Sequence, residues 1–328
     1  MSKIRLFGTS SGYVEIAPAA TASNNTLTAP STVGEIIAKD AAGAIGVTSV
    51  HTTNITATGI ATITTAKIGA GVTITESGIE ASGIGITCAN INGTQIGGRR
   101  NIIINGDCRV AQRGTSATSV SGQYKTVDRF STAFGGTDEA PTEAQHTLST
   151  SDTPYALGFR KSFHYTNGNQ TSGAGSSDYL QPQYKIEAQD LANCGWNYTS
   201  TSSFITFSFW VKSSVAQNFY FRLQTSDGTA QNYVMETGSL SADTWTKIEK
   251  TIPGNSNLQF DNDVNEGLQW NILLPFIGTD LTDSGVSLNS WGAYASGSRT
   301  PDSTSTWYTT NDATFEVTGI QLEVGSQA

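Results

Sequence analysis

Apolar and polar residues alternate along several stretches of the C-terminal part of the chain. Ile205, Phe207, Phe209 and Val211 fall on one face of an extended segment. So do Phe219, Phe221 and Leu223 across the short turn at Gln217, and Leu268, Trp270, Ile272, Leu274 and Phe276 further on. A period of two puts such residues on one side of a strand, so each segment predicts a half-buried β-strand. Near the end the phase slips. Phe315 and Val317 share one register, Ile320, Leu322 and Val324 the next, and Gly319 at the slip predicts a β-bulge. Many one-faced strands separated by turn signals predict an antiparallel sandwich, and residues 99–328 suit one jelly roll with long loops.

The pattern upstream is different. Ile4 and Leu6 alternate with Lys3 and Arg5, Gly8-Thr9-Ser10-Ser11-Gly12 turns the chain, and Tyr13, Val14 and Ile16 follow. Residues 1–44 therefore predict a small β unit of two or three short strands, too few for independent stability. Between residues 45 and 98, isoleucine recurs at 45, 55, 60, 63, 68, 74, 79, 84, 86, 91 and 96 among Thr, Ser, Gly and Ala. The commonest step, five, fits neither a helix nor one long strand and predicts short strands joined by Gly turns. One copy lacks the apolar area to offset the entropy of ordering it, whereas three copies wound about one axis would bury the isoleucines together. This stretch reads as a trimeric β shaft, with a flexible linker as the alternative.

Composition sharpens the division. Residues 1–98 hold two aromatics, Phe7 and Tyr13, and all the others lie beyond. The net charge of -9 divides as -1 and -8 across the same boundary, so no basic patch offers counterion-releasing contacts to nucleic acid. No apolar run reaches the roughly 18 residues of a membrane span, and the N-terminus has no apolar core of a signal peptide. Synthesis in a cytosol, with neither nucleic-acid binding nor membrane insertion, is the expectation. Cys88, Cys108 and Cys194 are odd in number and far apart, which argues against a disulfide framework or zinc knuckle. His51, His146 and His164 are equally isolated along the chain.

Several motifs invite chemistry. Gly8 to Gly12 matches the G-x-S-x-G elbow of serine hydrolases, but a strand-like segment follows where the elbow needs a helix, which predicts a hairpin turn. Asp138, Glu139 and Glu143 offer carboxylates of the kind glycoside hydrolysis uses in pairs, yet lie where a solvated acidic loop is predicted. Asp261 to Gly267 presents oxygens at alternate positions, but Ile272 stands where a calcium loop needs glutamate, leaving an Asx-rich turn. No catalytic residue is assigned, and no cofactor is required.

Aromatics divide by neighbourhood. Phe207, Phe209, Trp210, Phe219, Phe221, Trp245 and Trp270 lie in or beside strand patterns and predict core. Trp291 and Tyr294, Trp307 and Tyr308, and Trp196 and Tyr198 lie instead among small polar residues. A ring beside amides, hydroxyls and carboxylates suits a sugar, whose C–H groups stack while its hydroxyls form hydrogen bonds. These six, with Asn289 and Asp302, form the expected glycan site. Such rings also serve as plugs that anchor loops to a sandwich.

The series Arg100-Asn101-Ile102-Ile103-Ile104-Asn105-Gly106-Asp107, then Gln112-Arg113-Gly114 and Asp128-Arg129-Phe130, resembles the opening of a domain of tail-fibre and related virion proteins of tailed bacteriophages. Gly319-Ile320-Gln321-Leu322-Glu323-Val324-Gly325 resembles its close, and Phe204–Lys212 and Trp245–Ile252 fall on its middle strands. Leu6 to Ile16, with Asn25-Thr26-Leu27-Thr28, is similar to the N-terminal segment of marine-phage fibres. The resemblance implies a carbohydrate-binding-module-like jelly roll without catalytic residues. It also implies a structural calcium where first and last strands meet, with Asp107 and Glu323 as ligands.

Together these give an all-β homotrimeric fibre: residues 1–44 docking on phage tail or capsid proteins, 45–98 a shaft, 99–328 a head for host surface polysaccharide or lipopolysaccharide. Its expected location is the virion, on a tail fibre. The alternatives are a capsid fibre or decoration protein without a receptor role, and a polysaccharide depolymerase.

Overall fold

The computed structural model describes residues 101–325 throughout, together with Gly12 and the upstream strands named here. Two compact units divide the chain, Met1–Ile86 and Thr87–Ala328. In the first, β1 (Ile4–Phe7) and β2 (Tyr13–Ile16) pair antiparallel, with Phe7 opposite Tyr13. Residues 8–11 lie outside the described residues, but the strands flanking them form a hairpin, and a strand stands where a nucleophile elbow needs a helix. Next, β3 (Ala66–Ile68), β4 (Val72–Thr75) and β5 (Gly78–Ala81) form an antiparallel meander with Ile74 opposite Ile79. Ile68, Ile74 and Ile79 fall one to each of these three strands, so here the isoleucine series follows successive antiparallel strands. The other members of the series, except Ile91, fall outside the described residues.

In the second unit β6 (Asn90–Ile91) and β7 (Thr94–Gln95) pair with each other. After them come β8 (Ser116–Thr118), β9 (Phe130–Gly135), β10 (Thr142–Thr147), α1 (Thr153–Ala156), β11 (Lys161–Thr166), β12 (Tyr179–Glu187) and α2 (Ala188–Ala192). The remainder is β13 (Phe204–Ser213), β14 (Asn218–Thr225), β15 (Gln231–Ser239), β16 (Thr246–Pro253), β17 (Glu266–Leu274), β18 (Phe276–Ile277), β19 (Trp291–Ala293) and β20 (Thr314–Val324). A six-stranded sheet runs β16-β13-β20-β11-β10-β8; a seven-stranded sheet runs β18-β12-β17-β14-β15-β19, with β9 also on β12. All strand pairs are antiparallel, so the unit is the predicted all-β sandwich.

The alternation in sequence is what closes it. Phe207 and Phe209 of β13 point from one sheet onto Phe221 of β14 and Trp270 of β17 in the other, with Phe207 and Trp270 centroids 4.4 Å apart. Burying each such ring stabilises the fold by about 1.5–3 kcal/mol. Two details differ from the sequence reading. The turn at Gln217 is not a hairpin, because β13 and β14 belong to different sheets and the chain crosses the sandwich there. Trp210 and Trp245 lie outside the aromatic core: Trp210 is on the opposite face of β13 from Phe207, and Trp245 covers that outer face with its Nε1 donating to Asp152.

The bulge at Gly319 is present. Ser208 faces Gln321 while Trp210 faces Thr318, and Gly319 has φ +62°. A Cβ there would meet the Phe159 ring at 2.7 Å. The opening motif explains itself as a clasp on β20. Asn101 Oδ1 accepts from the Leu322 amide, Ile102 donates to the Leu322 carbonyl, and Ile320 donates to the Gly106 carbonyl. Only glycine fits at 106, since a Cβ would meet the Ile320 oxygen. Asn105, at φ 62°, ties Val110 and Asp128 through its side-chain amide.

Candidate functional site

Strands of the seven-stranded sheet bury Leu180, Tyr184, Leu268, Trp270, Phe221 and Leu223 inward, so their intervening residues line the outer face. Most of those residues are amides, and two are cations, Arg222 and Lys185. Gln183, Asn271 and Arg222 lie in one row across β12, β17 and β14; Lys185, Gln269, Gln224 and Asn232 form the next. Arg222 is 2% exposed. Its guanidinium donates to Gln224 Oε1 at 2.6 Å, Asn232 Oδ1 at 3.3 Å and Gln181 Oε1 at 3.3 Å. Burial pushes its pKa down to about 10, against the nearby Tyr294 hydroxyl, which leaves it charged at neutral pH. Among the described residues, Arg222 Nε and Asn271 Nδ2 have no hydrogen-bond partner.

The loop between β18 and β20 roofs this face. Tyr294 lies over Arg222 at 5.3 Å, Asn232 Nδ2 donates to the Arg299 carbonyl at 2.9 Å, and the Arg299 guanidinium sits 5.5 Å from the Tyr179 ring. At its edge a cleft of about 390 Å³ opens, lined among others by Asn232, Asp283, Ser287, Ser290, Trp291 and Ser298. Trp291 is fixed there. It belongs to β19, opposite Tyr233 of β15, its Nε1 donates to the Pro253 carbonyl at 2.8 Å, and its ring lies 5.0 Å from Tyr233. The cleft brings hydroxyls, an amide and a carboxylate together beside a half-buried indole whose ring packs inward on Tyr233, so it offers a sugar hydrogen-bonding groups at a rigid sheet edge.

The six expected aromatics therefore separate. Trp291 lines the cleft and Tyr294 roofs the amide face beside it. Trp307 and Tyr308 are fully buried, which corrects their assignment to an exposed platform. Trp307 Nε1 donates to the Thr314 carbonyl at 3.1 Å, Tyr308 donates to Asp178, and the Tyr308 ring stacks on Phe276 at 4.3 Å. Trp196, 4% exposed, is likewise a plug: it packs with Tyr198 and Phe260 and donates to the Ser203 carbonyl. A ring with no free face cannot stack on a sugar. Asn289, at φ 56°, donates its backbone amide to Val234 next to the cleft, while Asp302 accepts from Thr282 at 2.6 Å.

The carboxylates take structural roles. Asp138 accepts from the Ser172 amide, Ser172 hydroxyl and Thr171 hydroxyl, which hold its pKa below the usual value; Glu139 accepts from the Asn169 amide. Glu143 does not belong to a solvated loop, for it stands on β10, fully buried opposite Tyr165. Burial raises its pKa to about 7 despite a hydrogen bond from Thr132 and the charge of Lys125. So enclosed, it has no path to a substrate. Asp263 accepts from the Asn265 amide, the Asx turn expected of that loop.

Asp107 and Glu323 both lie at the junction of the opening clasp with β20, but Asp107 faces Arg109 at 3.8 Å, whereas Glu323 pairs with Asn101 through a backbone bridge. Among the described residues, the cluster of three side chains able to hold a metal lies elsewhere, at His146, His164 and Glu316. Histidines isolated in sequence meet because β10, β11 and β20 are neighbours. Cys108 is buried, which pushes its thiol pKa up and leaves it un-ionised.

No protein-family model matches the chain, and no curated protein matches it. Among solved structures, the chain is similar to the enzymatically active domain of a bacteriophage CBA120 tailspike protein, at 12% identity and a TM-score of 0.36. That likeness covers 69% of this chain and 21% of the tailspike chain. It is also similar to a CBM4 protein at 12% identity and a TM-score of 0.33, over 68% of this chain and 99% of that one. A family 11 carbohydrate-binding module from Clostridium thermocellum, in complex with a mixed-linked tetrasaccharide, has 13% identity and a TM-score of 0.28, over 65% of this chain and 98% of that one. No helix among the described residues is long and apolar enough to cross a membrane.

Proposed function

We propose that the chain is a non-enzymatic phage fibre subunit whose C-terminal sandwich binds host-surface glycan in the cleft beside Trp291. The observation that carries this reading is the cleft itself. Trp291, fixed at the sheet edge, contributes to a cleft whose other lining includes Asn232, Asp283, Ser287, Ser290 and Ser298, short polar side chains that can donate to and accept from sugar hydroxyls. The fibre part rests on the sequence motifs of both termini and on the isoleucine-rich stretch. In that role residues 1–44 attach to the virion, the tail fibre being the place proposed, and residues 45–98 join three copies. Three heads on one shaft raise avidity over single-site affinity by about 10² to 10⁴. The acidic head favours neutral sugars over phosphate groups. Retention of the purified full chain on host surface polysaccharide, compared with its Trp291→Ala variant, tests the reading. Wild-type retention that the variant loses supports it, and equal retention of both removes the cleft from the account.

A further inference from the structure

The outer face of the six-stranded sheet carries a second constellation, unrelated to the cleft. His164 of β11 and Glu316 of β20 are directly opposite, and His146 of β10 is opposite Ser162, so three adjacent strands present imidazole, imidazole and carboxylate together. His146 Nδ1 lies 2.9 Å from Glu316 Oε2, and His164 Nδ1 lies 3.6 Å from Glu316 Oε1. One ligand atom from each residue falls within 4.8 Å of the others. A tetrahedral zinc ion with bonds of about 2.0–2.2 Å spaces its ligand atoms about 3.3 Å apart, which these separations bracket. The carboxylate is already oriented, because Ser162 Oγ donates to Glu316 Oε2 at 2.6 Å. Access exists from the imidazole side: the His146 side chain is 51% exposed and that of His164 22%.

We propose that His146, His164 and Glu316 form a zinc-binding site that clamps β10, β11 and β20. Lys212 is its built-in competitor. Its ammonium lies 3.0 Å from Glu316 Oε1 and 3.5 Å from Asp152 Oδ1. When the metal enters, the ammonium keeps Asp152 as its partner, a carboxylate held by Trp245 Nε1 at 2.7 Å and the Ser149 amide. Two imidazoles and one carboxylate leave a fourth position for water, and the borderline-soft donor set favours zinc over calcium or magnesium.

The test is calorimetric titration of the full chain, free of any purification tag, with zinc chloride. One zinc per chain is expected, with a melting temperature that rises with zinc concentration. His146→Asn, at the half-exposed position where folding is least at risk, should weaken binding about a hundredfold, while Lys212→Met should strengthen it about tenfold. Cobalt titrated into the wild type should give the strong visible absorption of a tetrahedral site. Absence of zinc binding, binding unchanged by His146→Asn, or a cobalt spectrum like that of the hydrated ion would overturn the proposal.

Discussion

The two sheets obey the same alternation yet turn chemically different faces outward. On the seven-stranded sheet the outer positions hold Gln181, Gln183, Gln224, Asn232, Gln269 and Asn271 around Arg222, roofed by the loop that carries Trp291 and Tyr294. On the six-stranded sheet they hold His164, Glu316 and Lys212, with His146, Asp152 and Trp245 around them. Amides donate and accept equally and stay neutral, so beneath the roofing loop they can partner Arg222 and one another without a counter-charge. The ionic face satisfies its own charges and offers a ligand little except a place for a cation. Binary patterning thus sets which residues face out, whereas side-chain chemistry sets what each face can do.

Breaking the amide face should have the largest effect. Arg222→Met leaves three amide oxygens without their buried donor and should destabilise the head by about 3–5 kcal/mol, read by urea denaturation. A loss under about 1 kcal/mol would mean that the amides re-pair among themselves and that the guanidinium is dispensable.

Acid sharpens the contrast within the six-stranded sheet. Glu143 faces the core on β10, and burial raises its pKa from 4.5 to about 7. The folded state therefore holds this proton more tightly than the unfolded one. Its stabilising share is complete below pH 4.5 and is lost as pH rises through about 7, a change on the order of 3 kcal/mol. On the outer face burial would also raise the Glu316 carboxyl, but the His164 ring nearby and hydrogen bonds from Ser162, His146 and Lys212 prevail and hold its pKa well below the usual range. That share is present above the unfolded pKa of 4.5 and lost as pH falls through the depressed folded value. Glu143→Gln should therefore flatten the decline between pH 4.5 and 7, and Glu316→Gln should flatten the decline in strong acid. Melting curves across pH for both variants check this; parallel curves for wild type and Glu143→Gln would contradict it.

A smaller effect is expected where the two registers of β20 join. Gly319→Ala places a Cβ against the Phe159 ring at a positive φ, and should cost about 1–2 kcal/mol in thermal melting without altering ligand affinity. Stability equal to wild type would show that Phe159 gives way freely.

Much of the sandwich was legible in the chain. The alternating runs at 205–211, 219–223 and 268–274 became strands, and the phase slip at Gly319 became the bulge, because period and glycine conformation act locally. Other features depend on distant partners. His146 and His164 looked isolated, and nothing near either one announces Glu316, which arrives on β20 through sheet order alone. Trp307 and Tyr308 looked exposed among Ser and Thr, but their depth is set by Phe276, Tyr165 and Asp178, remote in sequence. The opening motif, whose residues resemble a phage fibre domain, proved to be a structural clasp, which explains why it marks a fold without marking a ligand.

The most direct test of the account compares Trp291 with Trp307 on one preparation each. Single-site affinity for an oligosaccharide of the host surface polysaccharide should be measured by calorimetry, alongside thermal melting. Trp291→Ala should weaken binding about thirtyfold, roughly 2 kcal/mol, and lower stability by about 1–2 kcal/mol through loss of the Pro253 hydrogen bond and the Tyr233 contact. Trp307→Ala, which empties a core position, should lower stability by about 3–5 kcal/mol and leave the affinity of the folded fraction intact. Undiminished affinity in Trp291→Ala would contradict the account, whatever the stability of either variant.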